Sequence, residues 1–147
     1  MAVVRQAVES DIHEFIVLAK RFSKEAKYGM TLDIDLVVEN FNAGLVNPEV
    51  CWLVLEEEGE MIGFLMGVTN NPLFSRDKIG VELGWFVQPE HRNGHSAIKL
   101  MVSFEQWCKK QRCKYVTMCD IHSLQSLQPL YERRGYTLTE KSYMKEV

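Results

Sequence analysis

Glu82 is an acid set inside an apolar run, Gly80-Val-Glu82-Leu-Gly84-Trp-Phe-Val87. A carboxyl in a central strand is costly to bury unless it is paired or put to use. It therefore reads either as a salt-bridge or substrate-positioning group, or as a proton acceptor. Strand alternation would put Glu82, Gly84 and Phe86 on one face, and Val81, Leu83, Trp85 and Val87 on the other. Pro89 stops the run, and Glu90-His91-Arg92-Asn93-Gly94-His95-Ser96-Ala97 leads through a polar turn directly into a helix. A helix start presents unpaired N–H groups and a partial positive charge, which suit a phosphate or pyrophosphate. Gly94 permits close backbone approach, and small Ser96 and Ala97 keep the first turn open. A simple crossover turn has the same pattern, so this segment alone does not select a ligand. His91, His95 and His122 titrate near neutrality and compete with Glu82 as proton acceptors, although each also fits a surface or cap position. Cys119 has a nucleophilic atom but no base beside it in sequence. Neither a histidine pair nor a C-x-x-C spacing indicates a metal.

The rest of the chain supplies the elements that hold these residues. Val3 to Val8 reads as an edge strand. Ser10 offers an N-cap, and Ile12, Phe15, Ile16, Ala19 and Phe22 then fall at helical spacing. Thr31 or Asp33 caps a second helix carrying Leu36, Val37 and Phe41, with Gly44 at its close. Cys51 to Leu55 and Met61 to Thr69 form two strands joined by a charged turn holding Gly59. Ile79 to Val87 is the next strand. The helix after Gly94 has one apolar face: Ala97, Ile98, Leu100, Met101, Phe104, Trp107 and Cys108. Tyr115 to Ile121 is a strand, Ser123 to Arg134 a helix, and Tyr136 to Lys145 a closing strand. The order β-α-α-β-β-β-α-β-α-β predicts a single α/β domain over residues 1–147. Its sheet is mixed, antiparallel early and partly parallel late, with helices on both faces.

The composition fits that reading. The chain has 147 residues, 46% hydrophobic and 25% charged, with a formal net charge of −3, as expected of a soluble globular domain. No basic run favours nucleic acid or an anionic membrane as partner. No stretch reaches the roughly 18 apolar residues of a membrane span. The opening MAVVRQAVESD lacks the pattern of a secretory signal, so a cytoplasmic location is expected. Cys51 and Cys119 fall in strand-like runs and Cys108 on a helix face. With Cys113 they read as small reduced residues, most of them buried. Trp52 and Trp85 read as core.

The run ending Val87-Gln-Pro89-Glu90-His-Arg92-Asn-Gly94-His-Ser-Ala97-Ile-Lys-Leu100 resembles motif A of the GCN5-related N-acetyltransferase (GNAT) superfamily. There a strand ending V-x-P-E-x is followed by R-x-x-G-x-G/A and a leucine-bearing helix. Val87, Pro89, Glu90, Arg92, Ala97 and Leu100 match. The family's first glycine is His95 here, with Gly94 one place earlier. E-L-G-W-F-V-Q-P-E-H-R is similar to the ribosomal-protein branch. Leu130-Tyr131-Glu-Arg-Arg-Gly135-Tyr136 is similar to the closing motif F/L-Y-x-x-x-G-F/Y. Many members carry a pantetheine-binding asparagine upstream; this chain has Asp120-Ile-His122-Ser123.

The resemblance implies a GNAT-like acyltransferase fold and an enzyme using acetyl-CoA, with no metal. An amine would attack the thioester directly. Backbone groups of Phe86 and Val87 would meet the pantetheine and steady the oxyanion. Arg92, Asn93, Gly94, His95, Ser96 and Ala97 would hold the pyrophosphate, the Arg92 guanidinium adding charge. Tyr131 would be the general acid, since a phenol of pKa about 10 keeps its proton at neutral pH; helix-end packing is its plainer reading. Glu82 would be the base, directly or through water. The acceptor, a small-molecule or peptide amine, would lie between the first two helices and the later strands. Asp33, Asp35 and Glu39 would draw a cation there, or else form a solvated helix face. A non-catalytic acyl-CoA-binding module and a plain interaction domain share the same sequence features. Oligomeric state stays open, a homodimer included.

Overall fold

The computed structural model describes residues 1–92 and 95–147. One sheet carries five strands in chain order: β1 (Val3–Gln6), β2 (Val50–Glu57), β3 (Glu60–Asn70), β4 (Ile79–Val87) and β5 (Tyr115–Thr117). The first four pair antiparallel, and β4 pairs with β5 in parallel. Helices α1 (Ile12–Ala26) and α2 (Ile34–Val46) cover one face. Helix α3 (Ser96–Lys110) covers the other, and α4 (Gln128–Arg133) follows β5. The expected mixed sheet with helices on both faces is what the chain forms.

Alternation along the strands builds the two cores. Cys51, Leu53 and Leu55 of β2 meet Leu100, Phe104 and Cys108 of α3. Trp52 and Val54, one position out of phase, meet Phe15, Leu18 and Phe41 of α1 and α2. Burial of each large side chain contributes about 1.5–3 kcal/mol. The β2–β3 turn places Glu58 and Gly59 at φ 51° and 81°, the pair of positive values that a two-residue I′ hairpin requires. Helix α3 approaches the sheet closely over two glycines. A Cβ on Gly67 would collide with Phe104, and one on Gly80 with the Cys108 sulfur. Gly80→Ala is therefore expected to lower unfolding free energy by about 1–3 kcal/mol, read as a shifted urea midpoint with unchanged slope.

Several boundaries differ from the sequence expectations, each for a physical reason. Tyr136 to Lys145 is not a strand; it lies outside the sheet and is exposed beyond Tyr136. Its residues favour extended backbone, but a strand needs a ladder partner. Among the described residues Tyr136 is the one anchored, its hydroxyl donating to Glu105 Oε2 at 2.9 Å. Helix α4 begins at Gln128 because Pro129 fits only a first turn. Ser123, expected inside that helix, instead donates to the Ala26 carbonyl at 2.7 Å and satisfies the end of α1. Strand β5 ends at Thr117, so Met118 to Ile121 leaves the sheet. At the start of α1, Asp11 replaces Ser10 as the organising residue. Its carboxylate accepts the Val8 N–H and two Arg5 bonds, all at 2.8 Å. The Arg5 guanidinium holds that carboxyl below its ordinary value. Asp33 caps α2 as expected, accepting from Leu36 N–H at 3.1 Å. Gly44 lies inside α2, where it makes room for the Trp52 ring.

Candidate active site

The site is built where β4 and β5 part. Their parallel pairing runs only from Ile79–Tyr115 to Val81–Thr117. β4 continues to Val87 after β5 has ended, so its outer edge has no strand partner from Glu82 onward. Opposite this gap, the β3 register slips: Gly67 faces Glu82 and Met66 faces Gly84, leaving Leu83 as a bulged extra residue. The bulge overturns the simple alternation expected for this strand. Phe86 and Gly84 face α1 and α2, whereas Trp85 and Val87 face α3. Glu82 faces the α3 side opposite Gly67, apart from Gly84 and Phe86.

Glu82 lies at the head of the gap with 5% of its surface exposed. Among the described residues it has no ion-pair partner, which removes the salt-bridge reading. Burial pushes its carboxyl up to about 7, partly opposed by the Cys119 thiol and backbone amide. A carboxyl that changes charge near neutrality can accept a proton there. Tyr131, on α4, is 8% exposed. Its hydroxyl donates to the Cys119 carbonyl at 2.6 Å. Burial first, then the negative charge of Glu82 and Asp120, raises the phenol above its ordinary value. It keeps its proton at any working pH.

Cys119 therefore lies between the two groups. Its Sγ is 3.7 Å from the Glu82 carbonyl oxygen. Burial, then Glu82, pushes the thiol up to about 11, which disfavours a nucleophilic thiolate. The residue stands beyond β5 and is exposed, unlike the buried strand cysteine expected. Tyr28, in the connection between α1 and α2, also approaches: burial, Cys119 and Glu82 all raise its phenol. Sequence reasoning missed Cys119 as a link and Tyr28 altogether. Neither residue belongs to a motif, and both arrive from connections whose path the local pattern does not dictate.

The turn after β4 is tied down by charge. Arg21 holds Glu90 with two bonds, at 3.0 and 2.9 Å. His91 Nδ1 is 3.3 Å from Glu57 Oε2. Gln88 N–H donates to the Ile62 carbonyl at 2.9 Å, and the Phe86 carbonyl also turns toward β3, against Gly63. Phe86 thus spends its backbone on β3, and Val87 alternates outward into the gap. The Val87 carbonyl accepts from Arg92 Nε at 2.6 Å. The Arg92 guanidinium also meets Glu25 at 2.8 Å and lies 5.2 Å above the Phe86 ring. It is a brace between the turn and α1, with part of its charge compensated. His95 precedes α3, is exposed, and makes no side-chain cap. Ser96 and Ala97 are half-buried in the first turn. Asn93 and Gly94 lie outside the described residues.

Glu82 and Tyr131 both meet Cys119 beside the gap, and the turn after Val87 leads to the start of α3. The alternatives are not gathered there. Among the described residues, His91, His95 and His122 make no hydrogen bond to Glu82 or Tyr131. Asp33 is a helix cap, and Asp35 and Glu39 are exposed. Asp120 holds its own loop through Ser126 and the Leu127 N–H. No group of metal-ligating side chains is found among the described residues. Likewise no described helix is long and apolar enough to cross a membrane. The gap has an unpaired strand edge along β4, and the turn after Val87 leads to the start of α3.

The family described as acetyltransferase (GNAT) matches residues 13–136. The uncharacterized N-acetyltransferase YhfO of Bacillus subtilis (strain 168) is 26% identical over 133 residues, covering 90% of this chain and 88% of that protein. Aminoglycoside N-acetyltransferase AAC(6')-Iy, solved in complex with CoA, superposes with a TM-score of 0.83 at 15% identity, over 100% of this chain and 95% of that one. The ribosomal-protein-alanine N-acetyltransferase of Brucella melitensis biovar Abortus 2308 gives 0.78 at 16% identity, over 100% and 99%. At such identities the solved structures establish the shared fold.

Proposed function

We propose, because the chain belongs to the acetyltransferase (GNAT) family, that it moves an acetyl group from acetyl-CoA to a primary amine by direct attack. The observation that carries this reading is the gap between β4 and β5 with Glu82 and Tyr131 at its head. Acetyl-CoA supplies the activated thioester. The protein's residues do the rest. The outward Val87 backbone lines the arm. Amides at the start of α3, from His95 to Ala97, receive pyrophosphate together with Asn93 and Gly94. Arg92 holds the turn in place, and its charge adds to the field there. Glu82, ionising near 7, takes the amine proton directly or through water. Tyr131 gives a proton to the departing thiolate. The outward edge of β4 steadies the oxyanion.

The acceptor is a small-molecule or peptide amine. The solved relatives named for aminoglycosides and for ribosomal-protein alanine span that range. Calorimetry with acetyl-CoA, followed by thiol release with a panel of amines, tests the reading. Binding with turnover on at least one amine is the expected result. Binding without turnover on any amine favours an acyl-CoA-binding module, the reading that His95 in the glycine position favours. No binding leaves an interaction domain.

Ala97→Leu is expected to weaken acetyl-CoA at least tenfold, about 1.4 kcal/mol, by filling the first turn of α3. Titration calorimetry on mutant protein of wild-type melting temperature reads this. Unchanged affinity moves the pyrophosphate elsewhere.

A further inference from the structure

We propose that Glu25 is a positioning residue for coenzyme binding: its carboxylate holds Arg92 in the place of a phosphate, and the coenzyme's pyrophosphate displaces it. The inference deepens the acetyl-CoA reading and rests on it for the identity of the anion. Glu25 lies in the last turn of α1, and Arg92 closes the short turn after β4. Arg92 Nη2 donates to Glu25 Oε2 at 2.8 Å. Its Nε donates to the Val87 carbonyl at 2.6 Å, and the guanidinium lies over the Phe86 ring. The Nε side is thus fixed on β4, and the Nη side is what Glu25 holds. The two side chains keep 40% and 25% of their surface exposed, so an arriving anion reaches the pair. A guanidinium meets carboxylate and phosphate oxygens with the same N–H donors. Pyrophosphate at the start of α3 therefore competes with Glu25 for them.

Two features favour such an exchange. The first is a second cation beside Glu25. Arg21, one helical turn earlier, brings its Nε to 4.0 Å from Glu25 Oε1. Arg21 also holds Glu90 by two bonds, at 3.0 and 2.9 Å. Glu90, Arg21, Glu25 and Arg92 thus alternate in charge between the turn and α1. A carboxylate released by Arg92 keeps a partner in that chain. The second feature is a fixed backbone beneath Glu25. Ser123 Oγ lies 3.1 Å from the Glu25 carbonyl oxygen and 2.7 Å from that of Ala26. The exchange is therefore confined to side chains. Until the coenzyme arrives, the internal carboxylate offsets part of the positive field of the turn, and coenzyme binding is weaker by the strength of that one ion pair.

Glu25→Gln keeps the shape and removes the charge. Its CoA affinity, read by calorimetry, is expected to tighten about two- to fivefold, the strength of one partly exposed ion pair. Glu25→Ala, which leaves no side-chain acceptor, should match or exceed that gain. Arg92→Met should weaken CoA binding, and adding Glu25→Gln to it should change nothing further. The Arg92 guanidinium NMR signal, assigned by Arg92→Met, should move when CoA is added to the wild-type protein. Its CoA-bound position should be the same in Glu25→Gln, because the carboxylate has left it in both. Weaker or unchanged CoA binding in folded Glu25→Gln and Glu25→Ala overturns the proposal. So does an equal gain with and without Arg92, which marks a general charge effect. If the affinities follow expectation while no amine is acetylated, the exchange at Arg92 stands and the acetyl-transfer reading falls.

Discussion

Glu82→Gln is expected to slow acetyl transfer at pH 7 by about 10²- to 10⁴-fold and, in the same protein, to raise thermal stability at pH 8. Both effects come from one fact: the carboxyl is buried without a cationic partner. Its ionisation moves from 4.5 to about 7 on folding. Between those values the folded chain keeps a proton that the unfolded chain has lost. Stability therefore falls as pH rises from 4.5 toward 7, and the cost is complete above 7. That difference corresponds to about 3 kcal/mol. Gln has the same shape and no charge, so the mutant escapes the cost at pH 8 and gains little at pH 5. A salt-bridge carboxylate would behave in the opposite way, losing stability at neutral pH when neutralised. Melting curves at pH 5 and pH 8, with initial rates from pH 6 to 10, read both effects. The mutant's rate should recover in part at high pH, where the amine loses its proton unaided. Equal or lower stability of the mutant at pH 8 sinks the buried, unpaired reading, and wild-type rates sink the base.

Much of the proposed site is legible in the sequence, and the legible part has a common character. Glu82 stands out because an acid interrupts an apolar strand. The turn after Pro89 stands out because a strand passes straight into a helix. Tyr131 stands out only through its resemblance to a family motif, since a tyrosine near a helix end carries no signal alone. What the sequence hid is what depends on register and on neighbours distant along the chain. The bulge at Leu83 reverses the facing of Glu82 relative to Phe86, and period-two reasoning has no term for an inserted residue. Arg92 looked like a phosphate ligand, yet Glu25, on a helix far earlier in the chain, claims one of its nitrogens. The final segment has strand-forming residues, but propensity cannot supply the partner edge that a strand needs.

Tyr131→Phe is expected to lower turnover by about 10²- to 10⁴-fold while leaving acetyl-CoA affinity within about twofold. The hydroxyl is the only group removed, and the ring stays packed near Tyr136 at a centroid distance of 5.6 Å. The hydroxyl now donates a hydrogen bond to the Cys119 carbonyl. A sulfur arriving along the gap would compete for that proton, and a thiolate accepts it more strongly than a neutral carbonyl does. The mutation also leaves the Cys119 carbonyl without its donor, so a stability loss of about 1 kcal/mol should accompany the rate loss. That loss is too small to unfold a working fraction of the protein at 25 °C, which keeps the two effects separable. Because burial and the nearby negative charge raise the phenol above its ordinary ionisation, Tyr131 contributes no alkaline limb below pH 10. Removing it should scale the pH–rate curve down without moving its midpoints, whereas Glu82→Gln should abolish the acid limb. Single-turnover rates, calorimetric affinity and melting temperature, measured on the same preparation, decide the matter. Wild-type turnover in a folded Tyr131→Phe protein assigns the thiolate's proton to water. A rate loss matched by an equal loss of coenzyme affinity assigns the tyrosine to binding.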